Sequence, residues 1–196
     1  MHVLLIFIRN PIYGKVKTRL ARTLGDDEAL RIYRILLEKT RAAAQACHSV
    51  RWLFYSDFVD ETDEWPTELF EKKIQHPGDL GERMQHAFET AFAAGAKKAI
   101  IIGSDCPELS GALLNQAFET LDHADFVIGP VPDGGYYLLG MKTHAPAVFE
   151  NIEWSTETVR EKTLEKIAVL QKNCTLLPLL ADIDTEKDFL GMKDEG

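Results

Sequence analysis

The chain has 196 residues, 45% hydrophobic and 27% charged, and its 22 Lys and Arg against 31 Asp and Glu leave a formal net charge of −9. These values suit one folded domain with a sizeable core and exclude a disordered polar chain or a disulfide scaffold. They also argue against general nucleic-acid or anionic-membrane binding, because attraction to phosphate polyanions grows with the number of basic contacts.

Val3 to Ile8 is a continuous apolar run ending at Arg9-Asn10-Pro11, which reads as a strand buried on both faces, as parallel sheets produce. Residues 9–25 show no clear period and contain Pro11, Gly14 and Gly25; Asp26-Asp27 then caps a helix over roughly 27–47 with Leu30, Tyr33, Leu37 and Ala44 on one stripe. Val50 to Tyr55 reads as a second strand, and Lys73 to Gln75 begins a third. His76-Pro77-Gly78-Asp79 is turn chemistry before a helix over Leu80 to Ala94.

Ala99 to Gly103 is the clearest buried strand after the first, and it delivers Ser104-Asp105-Cys106-Pro107 at its carboxyl end. A helix from Ser110 to Leu121, strands at 125–128 and 136–141, a helix over 157–170 and a strand over 175–180 follow. Strands alternating with helices predict an α/β domain with a mostly parallel sheet. Ligands of such sheets bind outside the carboxyl ends of the strands.

Three segments occupy such positions. The first is Gly14-Lys15-Val16-Lys17-Thr18-Arg19-Leu20. Residues 1–51 contain ten Lys or Arg and four Asp or Glu, a surplus of +6, whereas 52–196 carry −15, and five of those basic residues lie between Arg9 and Arg22 with no acidic one among them. Gly14 allows close backbone approach, so a di- or triphosphate is a natural ligand; a solvated basic loop is the plainer reading. The segment is not a Walker A loop, since Lys15 is followed by Val16 and no matching glycine precedes it.

The second is Asp105, which at the end of an all-apolar strand can hold Mg²⁺ or Mn²⁺ bridging substrate phosphates, or can cap the turn before Pro107. Cys106 beside it reads as a small buried side chain. The third is Asp182-Ile183-Asp184-Thr185, where a second carboxylate source can converge on a metal while Asp184 or Thr185 caps a short helix. Between two apolar strands, Asp133-Gly134-Gly135-Tyr136 is either a hairpin turn or a place where backbone amides, Asp133 and Tyr136 grip a substrate.

Cys47, Cys106 and Cys174 form no C-x-x-C pair, which points to a reducing compartment. The apolar start is too short for a membrane span and lacks signal-peptide flanks, so a cytoplasmic protein is expected.

Together, Pro11-x-x-Gly14-Lys15-Val16-Lys17-Thr18-Arg19-Leu20, Gly78-Asp79-Leu80-Gly81-Glu82-Arg83-Met84, Gly103-Ser104-Asp105-Cys106-Pro107, Pro132 to Tyr137 and Asp182 to Thr185 resemble a bacterial glycosyltransferase-like family of GT-A fold. That family lies within the nucleotide-diphospho-sugar transferase superfamily. The resemblance covers nearly the whole chain and implies a single GT-A-like nucleotide-binding domain over 1–196. It implies phosphate binding and catalysis by Lys15, Lys17 and Arg19 with Asp105, and a metal on Asp105 and Asp184, with Asp182 as second choice. Gly14, Leu80, Gly81, Arg83 and Ser104 complete the implied nucleotide site; Asp133, Gly134, Gly135 and Tyr136 would meet the second substrate.

Trp154-Ser155 also resemble a family motif. The chain has K-x-K-T-R where nucleotidyltransferases of this fold typically have G-x-G-T-R, and Pro107 where many glycosyltransferases have the second Asp of D-x-D; a lone Asp looks more like the nucleotidyltransferase branch. The expected activity is therefore Mg²⁺- or Mn²⁺-dependent nucleotidyl transfer from an NTP to a small acceptor, with glycosyl transfer from a nucleotide-sugar as the alternative and a non-catalytic nucleotide-binding module as the third reading.

Overall fold

β1 (His2–Ile8) can be apolar throughout because both of its faces are covered. Leu4, Ile6 and Ile8 enter one core with Tyr33, Leu37, Leu114 and Phe118, while Val3, Leu5 and Phe7 enter a second with Met84, Phe88 and Leu139. Alternate side chains leave a strand on opposite sides, so such a run requires a helical layer on each face. The computed structural model describes residues 1–194 and supplies both layers.

β1 pairs in parallel with β2 (Val50–Tyr55) on one side, and β3 (Glu71–Ile74) extends that half of the sheet. On its other side β1 pairs in parallel with β4 (Lys98–Ile102). β5 (Phe126–Pro130) and β4 flank the antiparallel β6 (Tyr136–Met141), and β7 (Cys174–Leu176) lies parallel to β5. Among the described residues the order is thus β3-β2-β1-β4-β6-β5-β7, an α/β fold with a mostly parallel seven-stranded sheet. The chain winds away from β1 toward β3, yet β4 lies on the opposite side of β1. That reversal between β1 and β4 is where open α/β sheets form their ligand crevice.

Six α-helices are described: α1 (Thr18–Leu24), α2 (Asp26–Gln45), α3 (Leu80–Ala93), α4 (Gly111–Thr120), α5 (Val159–Val169) and α6 (Glu186–Asp194). Helices α2 and α4 cover the first core, and α3 and α5 the second. The approach of α4 to the end of α2 depends on Gly111, where a Cβ would collide with Ala46. Helix α3 starts at a reciprocal capping box, in which the Glu82 N–H donates to Asp79 at 2.9 Å and the Asp79 N–H to Glu82 at 2.8 Å.

Two local expectations change. Residues 9–25 contain α1, which has too few turns to show a period and buries only Leu20, packed with Ala29, Ile32, Leu36, Ile183 and Phe189. The last strand stops at Leu176 rather than 180, because Pro178 has no N–H for the ladder; Leu177 and Leu180 still donate to Ile128 and Pro130 at 2.8 and 3.2 Å. Among the described residues no helix is long and apolar enough to cross a membrane.

Candidate active site at the reversal between β1 and β4

The chain leaving β1 is fastened before it reaches its basic residues. Asn10 is buried, its amide donating to the Phe58 carbonyl at 2.8 Å and its side-chain oxygen accepting from the Asp57 N–H at 3.0 Å, which ties the loops after β1 and β2 together. Further on, Val16 enters the first core and Leu20 the small third one. Between these anchors Lys17 takes a left-handed backbone, φ 46° and ψ 46°, immediately before α1. For a residue with a Cβ this conformation costs about 1 kcal/mol, and it is kept where surrounding structure imposes it.

Its consequence is an inward side chain. The Lys17 ammonium lies 2.7 Å from Asp105 Oδ1 and 3.1 Å from Asp184 Oδ1, with the lysine side chain 5% exposed and the two carboxylates 44% and 43% exposed. Burial alone would lower the ammonium's pKa, but the charges and hydrogen bonds of Asp105 and Asp184 outweigh it and hold the pKa above the ordinary lysine value. Lys15 on the same loop and Arg19 in the first turn of α1 remain exposed.

Asp105 follows β4 after Gly103 and Ser104, and its carbonyl accepts the Ile183 N–H at 2.9 Å, so the acidic segment after β7 is held against the end of β4. Asp184 then precedes the start of α6, where the Thr185 N–H donates to Asp188 at 2.7 Å. Capping and facing the cleft are thus divided between neighbours, Thr185 with Asp188 doing the first and Asp184 the second. Burial, aided by the charges of Asp105 and Asp184, pushes the Asp182 carboxyl up to about 7; Lys17 opposes the shift, and the charge of Asp133 adds to it. Asp105, Asp133, Asp182 and Asp184 therefore share one electrostatic environment with a single inward lysine.

Ser104 is buried, with its hydroxyl 3.2 Å from that of Tyr33, which in turn accepts from the Arg9 N–H at 2.8 Å. It braces β1 against β4 from below. Burial first, and then the Asp105 charge, push the Tyr33 phenol up to about 12, so it stays neutral. Cys106 is buried and its thiol is also raised to about 12, chiefly by burial, which leaves no reactive thiolate beside Asp105.

At the other margin Leu80 is exposed, and Gly81 lies beneath Trp154, where a Cβ would collide with the indole. Arg83 is engaged within the protein, donating to the Gly78 carbonyl at 2.9 Å and to Gln75 at 3.4 Å; Gln75 donates in turn to the carbonyls of Ile8 and Phe54 at 3.0 and 3.2 Å. The pair closes the carboxyl ends of β1 and β2. Asn10 and Gln75 escape sequence reasoning, their hint being a polar residue set just after a strand, and Tyr33 reads from sequence as part of the α2 core stripe without its hydroxyl contacts.

The Asp133-Gly134-Gly135 segment is the β5–β6 turn. Gly134 has φ 90° and its missing Cβ makes room for the Glu157 carbonyl, while the Arg160 N–H donates to the Gly134 carbonyl at 2.9 Å. Asp133 is exposed and accepts the Gly135 N–H at 2.9 Å. Tyr136 does not join it: its hydroxyl is buried in the interior near Thr163, and burial raises its pKa. Two pockets, of about 410 Å³ along α2 and about 330 Å³ at the start of β5, are lined by none of these residues. Chemistry rather than concavity locates the site.

Among the described residues no three His, Cys, Asp or Glu side chains close on one point as a ready-made metal cage. Asp105 and Asp184 do reach a common point, and two carboxylates suit Mg²⁺, which keeps waters and takes further oxygens from substrate phosphates. The donor set fits such an ion.

Residues 39–156 match the family of bacterial proteins described as "Uncharacterized protein conserved in bacteria (DUF2064)". The chain belongs to this family. The match spans Leu80 to Arg83, Asp105 and Asp133 to Tyr136. A crystal structure from Desulfovibrio desulfuricans G20, described as a "putative nucleotide-diphospho-sugar transferase", is 32% identical with a TM-score of 0.90, covering 97% of this chain and 85% of that one. That likeness extends over Lys17 and the Asp182 to Asp184 segment as well.

More distant structures share the fold. A nucleotidyl transferase from Methanothermobacter thermautotrophicus has a TM-score of 0.62 at 13% identity, covering 100% of this chain and 97% of that one. Rv0371c from Mycobacterium tuberculosis H37Rv, in complex with manganese, has 0.59 at 10%, covering 99% of each. Among curated proteins none matches this chain in sequence.

Proposed function

We propose that the protein is a divalent-metal-dependent transferase that moves a nucleotidyl group from a nucleoside triphosphate to a small acceptor such as a sugar phosphate. One observation carries this reading: Lys17 from the loop after β1, Asp105 from the end of β4 and Asp184 from the segment after β7 meet at the reversal point of the sheet. The 32% identity to the Desulfovibrio protein and the manganese complex of Rv0371c support it.

Asp105 and Asp184 would hold Mg²⁺ or Mn²⁺, which supplies Lewis-acid stabilisation of phosphate charge. Lys15 on the loop and Arg19 in the first turn of α1, both exposed, add cationic contacts to the β- and γ-phosphates, and Gly14 lets the backbone approach them. Leu80, exposed, borders the nucleotide, with Gly81 buried beneath Trp154 as its support, while Arg83 and Ser104 act as braces of that margin and of the site's floor. Asp133, Gly134 and Gly135 face the acceptor, and Tyr136 serves the interior.

In the reaction an acceptor oxygen bonds to the α-phosphorus as the bond to the bridging oxygen breaks, and pyrophosphate leaves. An acceptor phosphate is already ionised, so no base is needed; for a hydroxyl acceptor Asp133 is the exposed carboxylate in place to take the proton. Positioning and charge then supply the catalysis.

A mass-resolved product assay with Mg²⁺ or Mn²⁺ tests this. Pyrophosphate from an NTP plus a sugar phosphate is the expected product. Nucleoside diphosphate released from a nucleotide-sugar would replace the reading with glycosyl transfer, and metal-dependent nucleotide binding without either product would reduce the protein to a binding module.

A further inference from the structure

The point that Asp105 and Asp184 share already holds a cation. Lys17 Nζ is 2.7 Å from one carboxylate and 3.1 Å from the other, and its stem is almost wholly enclosed although both carboxylates are more than two-fifths exposed. The approach is built rather than incidental. Val16 and Leu20 are fixed in two different cores, and the left-handed backbone at Lys17 turns its side chain inward while Lys15 before it and Arg19 in the first turn of α1 face solvent. An ammonium and a divalent ion cannot occupy the same contact position between the same two carboxylates, since both need the same oxygens and repel each other at that distance.

We propose that Lys17 is a resident cation that keeps the Asp105–Asp184 seat closed in the ligand-free protein, and that a divalent metal enters only by displacing it, which frees the ammonium for the phosphates of the incoming nucleotide. This inference rests on the metal-dependent reading above. Lysine suits the role because its charge sits on a flexible four-carbon stem that can swing without moving the backbone. The consequence is coupling: a nucleotide gives the displaced ammonium a new partner, so nucleotide strengthens metal binding and metal strengthens nucleotide binding by the same factor.

Mn²⁺ binding to the nucleotide-free protein, read from the free-ion electron paramagnetic resonance signal, tests the inference without any turnover. If the seat is closed about nine-tenths of the time, Lys17→Met binds Mn²⁺ about tenfold more tightly than the wild type, and Asp105→Asn abolishes the binding. Equal or weaker affinity in a folded Lys17→Met protein overturns the inference while leaving the metal-dependent reading intact. If Mn²⁺ binds neither protein, with or without a nucleoside triphosphate, both fall together.

A measurement on the wild type covers the case in which Lys17→Met does not fold. Acylation of Lys17, followed by mass spectrometry, should be slow in the metal-free protein, rise on saturation with Mg²⁺ and fall again when a non-hydrolysable nucleoside triphosphate is added. Labelling of Lys17 that stays unchanged at metal saturation overturns the displacement.

Discussion

The Ile183 N–H donates to the Asp105 carbonyl at 2.9 Å, joining the acidic segment after β7 to the carboxyl end of β4. With the Ile183 side chain buried beside Leu20, Ile32, Leu36 and Phe189, this one residue fixes where Asp184 stands relative to Asp105. Ile183→Ala should therefore do two things. Loss of a buried aliphatic side chain should destabilise the fold by about 2–5 kcal/mol in chemical denaturation, and Mn²⁺ binding in the presence of nucleotide should weaken at temperatures where the variant is still folded. Leu114→Ala, in the core beneath α4, is the matched control: a comparable stability loss with metal binding retained.

Lys15 and Arg19 act by charge from exposed positions. Lys15→Ala and Arg19→Ala should each weaken nucleoside triphosphate affinity several-fold at low salt, and the differences from wild type should shrink as ionic strength rises, because exposed charges are screened. Titration calorimetry at two salt concentrations reads this; a salt-independent loss would place those side chains in a structural role instead.

Asp182 sets a pH dependence with a defined sign. Its carboxyl has a folded pKa of about 7, raised by burial and by Asp105 and Asp184, against about 4 in an unfolded chain. Between those values the folded protein holds a proton that the unfolded chain has lost, so this group's contribution to stability declines as pH rises through that window. In metal-free buffer, Asp182→Asn should flatten that decline in denaturation midpoints measured from pH 5 to 8. A slope identical to wild type would remove Asp182 as its source.

Gly134 combines φ 90° with a missing Cβ that the Glu157 carbonyl requires. Gly134→Ala should cost about 1–3 kcal/mol by denaturant unfolding. Because the β5–β6 turn must then shift Asp133, acceptor turnover should fall more than nucleotide affinity. Proportional loss of both would separate the turn from the acceptor.

Much of this was legible in the chain because buried parallel strands announce themselves as apolar runs. Val3 to Ile8 and Ala99 to Ile102 could be found that way, and Asp105 then stood out as a carboxylate at a strand's end. Helix α1 was hidden by its length. The engagement of Lys17 by Asp105 and Asp184 was hidden by distance: it joins residues 167 apart to Asp184, and no local pattern reports which of three nearby cations turns inward. Tyr136 illustrates strand alternation, its hydroxyl facing the α5 side while that of its neighbour Tyr137 reaches the Pro178 carbonyl at 3.1 Å. Trp154, marked only by resemblance, acquires a physical reason as the cover over Gly81.

The central claim, that nucleotide phosphates and a divalent ion meet at Asp105 and Asp184, is tested most directly by calorimetric titration of a nucleoside triphosphate into wild-type and Asp105→Asn protein, with Mg²⁺ and with chelator. Both proteins should fold, since Lys17 keeps Asp184 as a partner when Asp105 loses its charge. The wild type should bind at least tenfold more tightly with Mg²⁺ than with chelator, and Asp105→Asn should lose that difference. Equal affinity in the two proteins under both conditions would contradict the account.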